Sequence, residues 1–130
     1  MIILTIRTDK PESEIGLYDN KKQLFYEKWQ AHRQLAETIH TKIQEIVSSQ
    51  KLSLQDVQGI VIYKGPGSFT GLRIGVSVAN ALAYGLNAPI VGSEGDEWIE
   101  DGLIMLNNGE NDKQVLPEYG APVYTTSPKK

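Results

Sequence analysis

Apolar positions along the chain fall into two different periods. Ile2–Ile6 is a short unbroken apolar run, the pattern of a strand buried on both faces. Thr8–Ser13 carries Asp9, Lys10 and Pro11 and reads as a turn. Two further strands are predicted at Glu14–Tyr18 and Gln23–Trp29, joined by Asp19-Asn20-Lys21, because Asp and Asn tolerate the left-handed angles of a hairpin. The period then lengthens. Leu35, Ile39, Ile43, Ile46 and Val47 recur at three- and four-residue spacing, which predicts an amphipathic helix over Ala31–Ser49. Leu52–Asp56 connects it to a second buried strand, Gly59–Tyr63. A glycine-rich turn, Gly65–Gly71, opens a second helix that runs to about Leu86. Ala88-Pro89 stops it, and Pro89–Gly92 is a third buried strand.

Three strands in a meander followed by helix, strand, helix, strand predict an α/β fold with a mixed five-stranded sheet. Crossovers between parallel strands are right-handed, so two crossovers moving the same way along the sheet place both helices on one face. The other face needs a cover, and Trp98–Leu106 is the candidate, as helix or strand. Residues 1–106 form the expected domain. Residues 107–130 are polar and rich in Pro, Gly and Asn, with a strand-like spot only near 122–125, at Val123 and Tyr124.

Composition narrows the function. The chain has 130 residues, 40% of them hydrophobic, which suits one domain with one core. It has no cysteine, which removes disulfides, thiolate catalysis and cysteine-ligated zinc. The opening apolar run stops at Arg7, too short for a signal peptide or for the roughly 20 apolar residues of a membrane helix, so a cytoplasmic protein without membrane contact is expected. The net charge is −3, and Lys and Arg are scattered, with Lys129 and Lys130 ending the tail. Phosphate neutralisation supplies most nucleic-acid affinity, so any RNA would be held by another subunit.

The informative stretch is Gly65-Pro66-Gly67-Ser68-Phe69-Thr70-Gly71-Leu72-Arg73-Ile74-Gly75, placed between a strand and a helix. Glycines permit a tight turn and close backbone approach, and Ser68 or Thr70 can cap the helix. A helix start is also a natural anion site. However, the stretch lacks the Gly-Lys-Ser/Thr ending of a P-loop and is not Gly-x-Gly-x-x-Gly. Arg73 is the only cation within it. Both a structural turn and an anion site fit these residues.

The same stretch resembles the signature of the TsaB family, also called YeaZ. The likeness extends to the opening Ile-Leu-Thr-Ile-x-Thr strand, an Arg33-Gln34 helix start, Leu-Ser-Leu before the central strand, and Ala-Pro-Ile-Val-Gly after the second helix. It covers about Met1–Gly92, with weaker echoes at Trp98-Ile99 and Pro122-Val123-Tyr124. The resemblance implies half of an ASKHA (actin/hsp70, RNase H-like) fold, in a form that lacks most of the second half. It implies a non-catalytic scaffold for transfer of a threonylcarbamoyl group to the adenosine beside the anticodon of tRNA. The implied partners are the catalytic TsaD-like subunit and a TsaE-like ATPase, with ATP and metal on those partners and tRNA reached only through the complex. Pairing is implied through the two helices, which assigns partner contact to Leu35, Ile39, Ile43, Leu72, Gly75, Val76, Ala79, Leu82, Ala83 and Leu86. Three positions depart from the family. Arg7 replaces the usual Asp after the first strand, Leu35-Ala36 replaces a His-Ser, and the second half is missing. Arg7 counts against ATP turnover, Leu35-Ala36 leaves a more apolar surface, and without the second half a bilobal nucleotide cleft is not expected within one copy.

The second helix also speaks for itself. Leu72–Leu86 is apolar nearly all round, so more than one side is expected to be covered, by the sheet and by either the first helix or a partner. His32 and His40, eight positions apart, are not an i, i+4 metal pair, and no metal site is expected. Glu94, Asp96, Glu97, Glu100 and Asp101 form an acidic run read as a solvated face. Besides the scaffold, two readings stay open: an ASKHA-type nucleotide-binding or peptidase-like enzyme, and a purely homodimeric structural domain.

Overall fold

In the computed structural model, residues 1–31, 34–67 and 69–119 are described, with the backbone alone at Phe69. Strands β1 (Ile2–Arg7), β2 (Glu12–Asp19) and β3 (Lys22–Gln30) form an antiparallel meander. Asn20 sits in the β2–β3 turn at φ 55°, the left-handed angle its side chain tolerates. Helix α1 (Leu35–Ser49) then crosses to β4 (Gly59–Tyr63), and helix α2 (Phe69–Leu86) crosses to β5 (Ile90–Ser93). The sheet order is β3-β2-β1-β4-β5, with β4 parallel to both β1 and β5.

Both crossover helices pack on one face. Leu4, Ile6, Ile15, Leu17, Ile60 and Ile62 meet Leu35, Ile39 and Ile43 of α1 and Val76, Ala79 and Ala83 of α2 in one core. On the opposite face Ile3, Val61, Tyr63 and Val91 meet helix α3 (Trp98–Asn107) through Trp98, Leu103 and Leu106. This settles the ambiguous apolar segment as a helix. Gly102 is the reason it lies so close: a Cβ there would overlap Val61.

Several sequence expectations change, and β2 already begins at Glu12, inside the predicted Thr8–Ser13 turn. Helix α1 begins at Leu35, four residues after the predicted Ala31, because Ala31 is held by its N–H donating to the Pro11 carbonyl at 3.0 Å. Gln34 is the residue before the helix, while Arg33 and His32 lie outside the described residues. Helix α2 begins at Phe69, so Thr70 and Gly71 are in its first turn and Thr70 is not the cap; Ser68 lies outside the described residues.

A further change concerns the end of the chain. The boundary placed after Leu106 cuts through the packed unit, because the following residues return to the sheet. Val115 is buried in the α1/α2 core. Asp112 N–H donates to Ile90 O at 2.7 Å and Glu118 N–H to Lys64 O at 2.7 Å. The possible strand near 122–125 lies outside the described residues.

The residues assigned to a partner also need correction. Leu35, Ile39, Ile43, Leu72, Val76, Ala79 and Ala83 are buried in the chain's own core, with Ala79 at 0% exposure. Gly75 is buried as well, against Thr8. The small-residue stripe Gly75-Ala79-Ala83 therefore lets α2 approach its own sheet. Only Leu82 and Leu86 of that set are half-exposed. Among the described residues, no helix is long and apolar enough to cross a membrane.

A charge at Ala79 has no water to reach. Ala79→Arg should lower stability by about 3 kcal/mol or more, since it buries an unpaired charge in a site filled by one methyl. The thermal midpoint should drop by roughly 10 °C or more. A thermal melt followed by circular dichroism checks this.

Candidate functional site

Parallel strands β1, β4 and β5 end on the same side of the sheet, where α/β folds place their binding crevices. The glycine-rich turn lies there, between the end of β4 and the start of α2. Beside it are Arg7, Thr8 and Asp9, where β1 ends. Gly65 has φ 122°, an angle side chains rarely adopt, and the Gly65–Pro66 bond is cis. Tyr63 Oη donates to the Pro66 carbonyl at 2.9 Å, and Thr8 Oγ1 donates to the Gly71 carbonyl at 2.7 Å.

What the glycines make room for is the chain itself. A Cβ on Gly65 would overlap the Glu118 carbonyl oxygen, and one on Gly67 would overlap the Asp9 side chain. Close backbone approach is a reason to keep glycine in a phosphate loop. Here protein atoms already occupy those positions, so the turn is packed rather than open.

The charges around it point the same way. Arg7 Nε donates to Asp9 Oδ1 at 2.7 Å and Nη2 to Oδ2 at 3.2 Å, a two-point pair with both side chains largely buried. The guanidinium lies 3.9 Å from the centre of the Tyr63 ring. Tyr63 in turn meets Trp98 edge-on, with ring centres 5.8 Å apart. Burial pushes the Arg7 pKa down, but the hydrogen bond and charge of Asp9, helped by Tyr63 and Glu14, outweigh it and leave it raised. Burial raises the Tyr63 phenol, opposed by Arg7 and reinforced by Asp9, Glu94 and Asp96. Tyr26 is raised by burial and by its hydrogen bond to Glu14. Both phenols therefore stay protonated at neutral pH.

Beside the turn is a shallow cleft of about 440 Å³ lined by Pro66, Glu94, Glu118 and Tyr119. Two carboxylates at this mouth disfavour a phosphate, and the charge of Arg7 is already matched by Asp9. A second groove, of about 460 Å³, runs along α3 between Tyr18, Lys21, Asp96, Glu97, Glu100 and Ile104. Of the acidic run, Glu100 and Asp101 lie in the first turn of α3, where the helix dipole favours them. Among the described residues, no three His, Cys, Asp or Glu converge on a metal site.

The structure thus gathers Gly65, Pro66, Gly67, Gly71 and Gly75 around one turn and adds Asp9 and Glu118. Sequence reading missed these two. Asp9 was visible as a strand-end acid two residues after Arg7, but read as part of a turn. Nothing in the sequence places Glu118 over Gly65. On α2, Arg73, Ser77, Ala81, Tyr84 and Gly85 are exposed, Tyr84 at 91%. On α1, Ala36, His40, Thr41, Gln44 and Ser48 are exposed.

The family model and the curated sequence relatives carry names from one pathway, threonylcarbamoyladenosine formation on tRNA. The model of the family TsaD, tRNA N6-adenosine threonylcarbamoyltransferase, matches residues 29–94, just over half of the chain. The tRNA threonylcarbamoyladenosine biosynthesis protein TsaB of Haemophilus influenzae is 34% identical over 83 residues, which cover 60% of this chain and 35% of that protein. The tRNA N6-adenosine threonylcarbamoyltransferase of Geotalea daltonii is 44% identical over 62 residues, 48% of this chain and 18% of that protein. The solved structure of YeaZ from Pseudomonas aeruginosa superposes with a TM-score of 0.66 at 22% identity, covering 72% of this chain and 43% of that one. At that identity the likeness speaks for the fold. The chain spans well under half the length of these curated relatives.

Packing against the turn predicts its sensitivity. Gly67→Ala should destabilise the protein by roughly 1–3 kcal/mol, because the added methyl meets Asp9 at its Cβ, close to the backbone. Asp9→Ala should cost about 2 kcal/mol, since it strands the largely buried Arg7 charge. Urea unfolding of each variant measures both.

Proposed function

Because the chain belongs to the family of the TsaD and TsaB (YeaZ) proteins, we propose that it is a non-catalytic scaffold subunit for threonylcarbamoyladenosine formation on tRNA. In this reading it supports a TsaD-like subunit that transfers the threonylcarbamoyl group to the adenosine beside the anticodon, in the cytoplasm. A TsaE-like ATPase completes the set, and ATP and metal belong to the partners.

The observation that carries this reading is the filling of the glycine-rich turn by the chain's own atoms. Glu118 occupies the space over Gly65 and Asp9 the space beside Gly67. A packed turn of this kind fits a role in shaping the start of α2 better than a role in holding nucleotide. The net charge of −3 likewise fits a subunit that meets tRNA through the complex.

Partner contact in this reading moves from the inward stripe of α2 to its outward one. Tyr84, Ala81, Ser77 and Gly85, with the half-exposed Leu82 and Leu86, form that face, and the exposed side of α1 continues it. Tyrosine is a common anchor at interfaces because one ring buries much area with few rotatable bonds. Self-pairing through the same face is the competing use of this surface.

Copurification with the TsaD-like protein of the same cell tests the proposal. Tyr84→Ala should weaken that complex by about 1–2 kcal/mol while leaving the thermal midpoint nearly unchanged, because the side chain is exposed in the monomer. No copurification, or a complex indifferent to changes at Tyr84, Ala81 and Ser77, would count against it. The chain alone should not hydrolyse ATP, and titration with tRNA should show only weak, salt-sensitive binding. Turnover that survives purification and is lost in Gly67→Ala would favour an enzyme.

A further inference from the structure

Strand β5 is the edge of the sheet, yet its outer edge is not bare. In a sheet where β4 pairs with one side of β5, the N–H and C=O groups of Ile90 and Gly92 point the other way. Ile90 N–H donates to Asn111 Oδ1 at 3.1 Å, and Ile90 O accepts from Asp112 N–H at 2.7 Å. Gly92 N–H donates to Asp112 Oδ2 at 2.9 Å. Two of the three partners are side-chain oxygens. The segment therefore satisfies three of the four outward groups of Ile90 and Gly92, without forming a ladder.

Further along, Asn80 of α2 holds the segment by both of its amide groups. Its Nδ2 donates to Val115 O at 2.9 Å, and its Oδ1 accepts from Val115 N–H at 2.9 Å. This copies the two-way pairing of a strand neighbour. The Val115 side chain is buried against Gly92, where a Cβ would come within 2.7 Å of its Cγ1. Glu118 N–H then donates to Lys64 O at 2.7 Å beside the glycine-rich turn. Residues 111–118 thus run from the start of β5 to the end of β4.

We infer that residues 111–118 are a latched strap that stands in for a sixth strand, sealing the β5 edge against pairing with a second copy of the chain, and that Asn80 is its latch. An uncovered edge presents unpaired N–H and C=O groups that recruit another strand. The strap is irregular and makes two of its three bonds to β5 through side chains, which makes it a poor template for a further strand. The inference is independent of the partner proposed above, because it concerns the sheet edge and not the outer helix face.

Amide hydrogen exchange and light scattering on the full chain test it, with Asn80→Ala to open the latch and Gly92→Ala to push Val115 out. In either variant the amides of Ile90, Gly92 and Val115 should exchange roughly tenfold faster or more, the loss expected for one or two net hydrogen bonds. The amides of α1 should be unchanged. Species larger than any formed by the wild type should appear as concentration rises. Asn80→Asp keeps the acceptor for Val115 N–H and serves if Asn80→Ala unfolds. Unchanged exchange at Ile90 and Gly92 would show that Asn80 is no latch. Faster exchange without larger species would overturn the sealing role.

Discussion

Helix α2 lies close enough to the sheet that three of its buried positions are glycine or alanine. Gly75 rests on Thr8, and Ala79 and Ala83 continue the contact into the core. Thr8 Oγ1 also donates to the Gly71 carbonyl, tying the end of β1 to the first turn of the helix. This approach fixes where α2 begins and therefore where the glycine-rich turn must fold. It also leaves the turn little room, so Gly65 and Gly67 accommodate Glu118 and Asp9 rather than an open cradle. A larger residue anywhere on this seam would lift the helix and open the turn.

That turn belongs to a belt of contacts at the carboxyl ends of the parallel strands. Arg7 is paired with Asp9, lies over Tyr63, and Tyr63 meets both Pro66 and Trp98. The belt therefore links β1, β4, the glycine-rich turn and α3. Paired charge and stacked rings of this kind hold geometry, and the charge of Arg7 is matched by Asp9 rather than turned toward a ligand. A scaffold needs a fixed surface more than a reactive cleft, and the belt supplies the first.

The strap has the same character. Apart from Val115, Leu116 and Pro117 it is polar, and it contributes hydrogen bonds where β5 would otherwise expose its backbone. The chain thereby finishes its sheet with side chains of Asn and Asp, which substitute for backbone groups well because they carry the same acceptor oxygen.

The sequence by itself determined the order and type of nearly every element. Continuous apolar runs marked β1, β4 and β5, the three-to-four spacing marked α1, and Asn20 marked the hairpin, because local periodicity and turn chemistry are written in consecutive residues. It also carried the signature that placed the chain in its family. Tertiary structure decided which side of a helix faces inward. Most of the circumference of α2 is apolar, so its small-residue stripe could be assigned to a partner, although the narrow polar stripe of Arg73, Ser77 and Tyr84 marks the outward face. Distance in sequence hid the rest. Asn80 and Val115, or Gly65 and Glu118, are paired only by the fold, and a polar segment after α3 shows no period that would announce its return to the sheet edge.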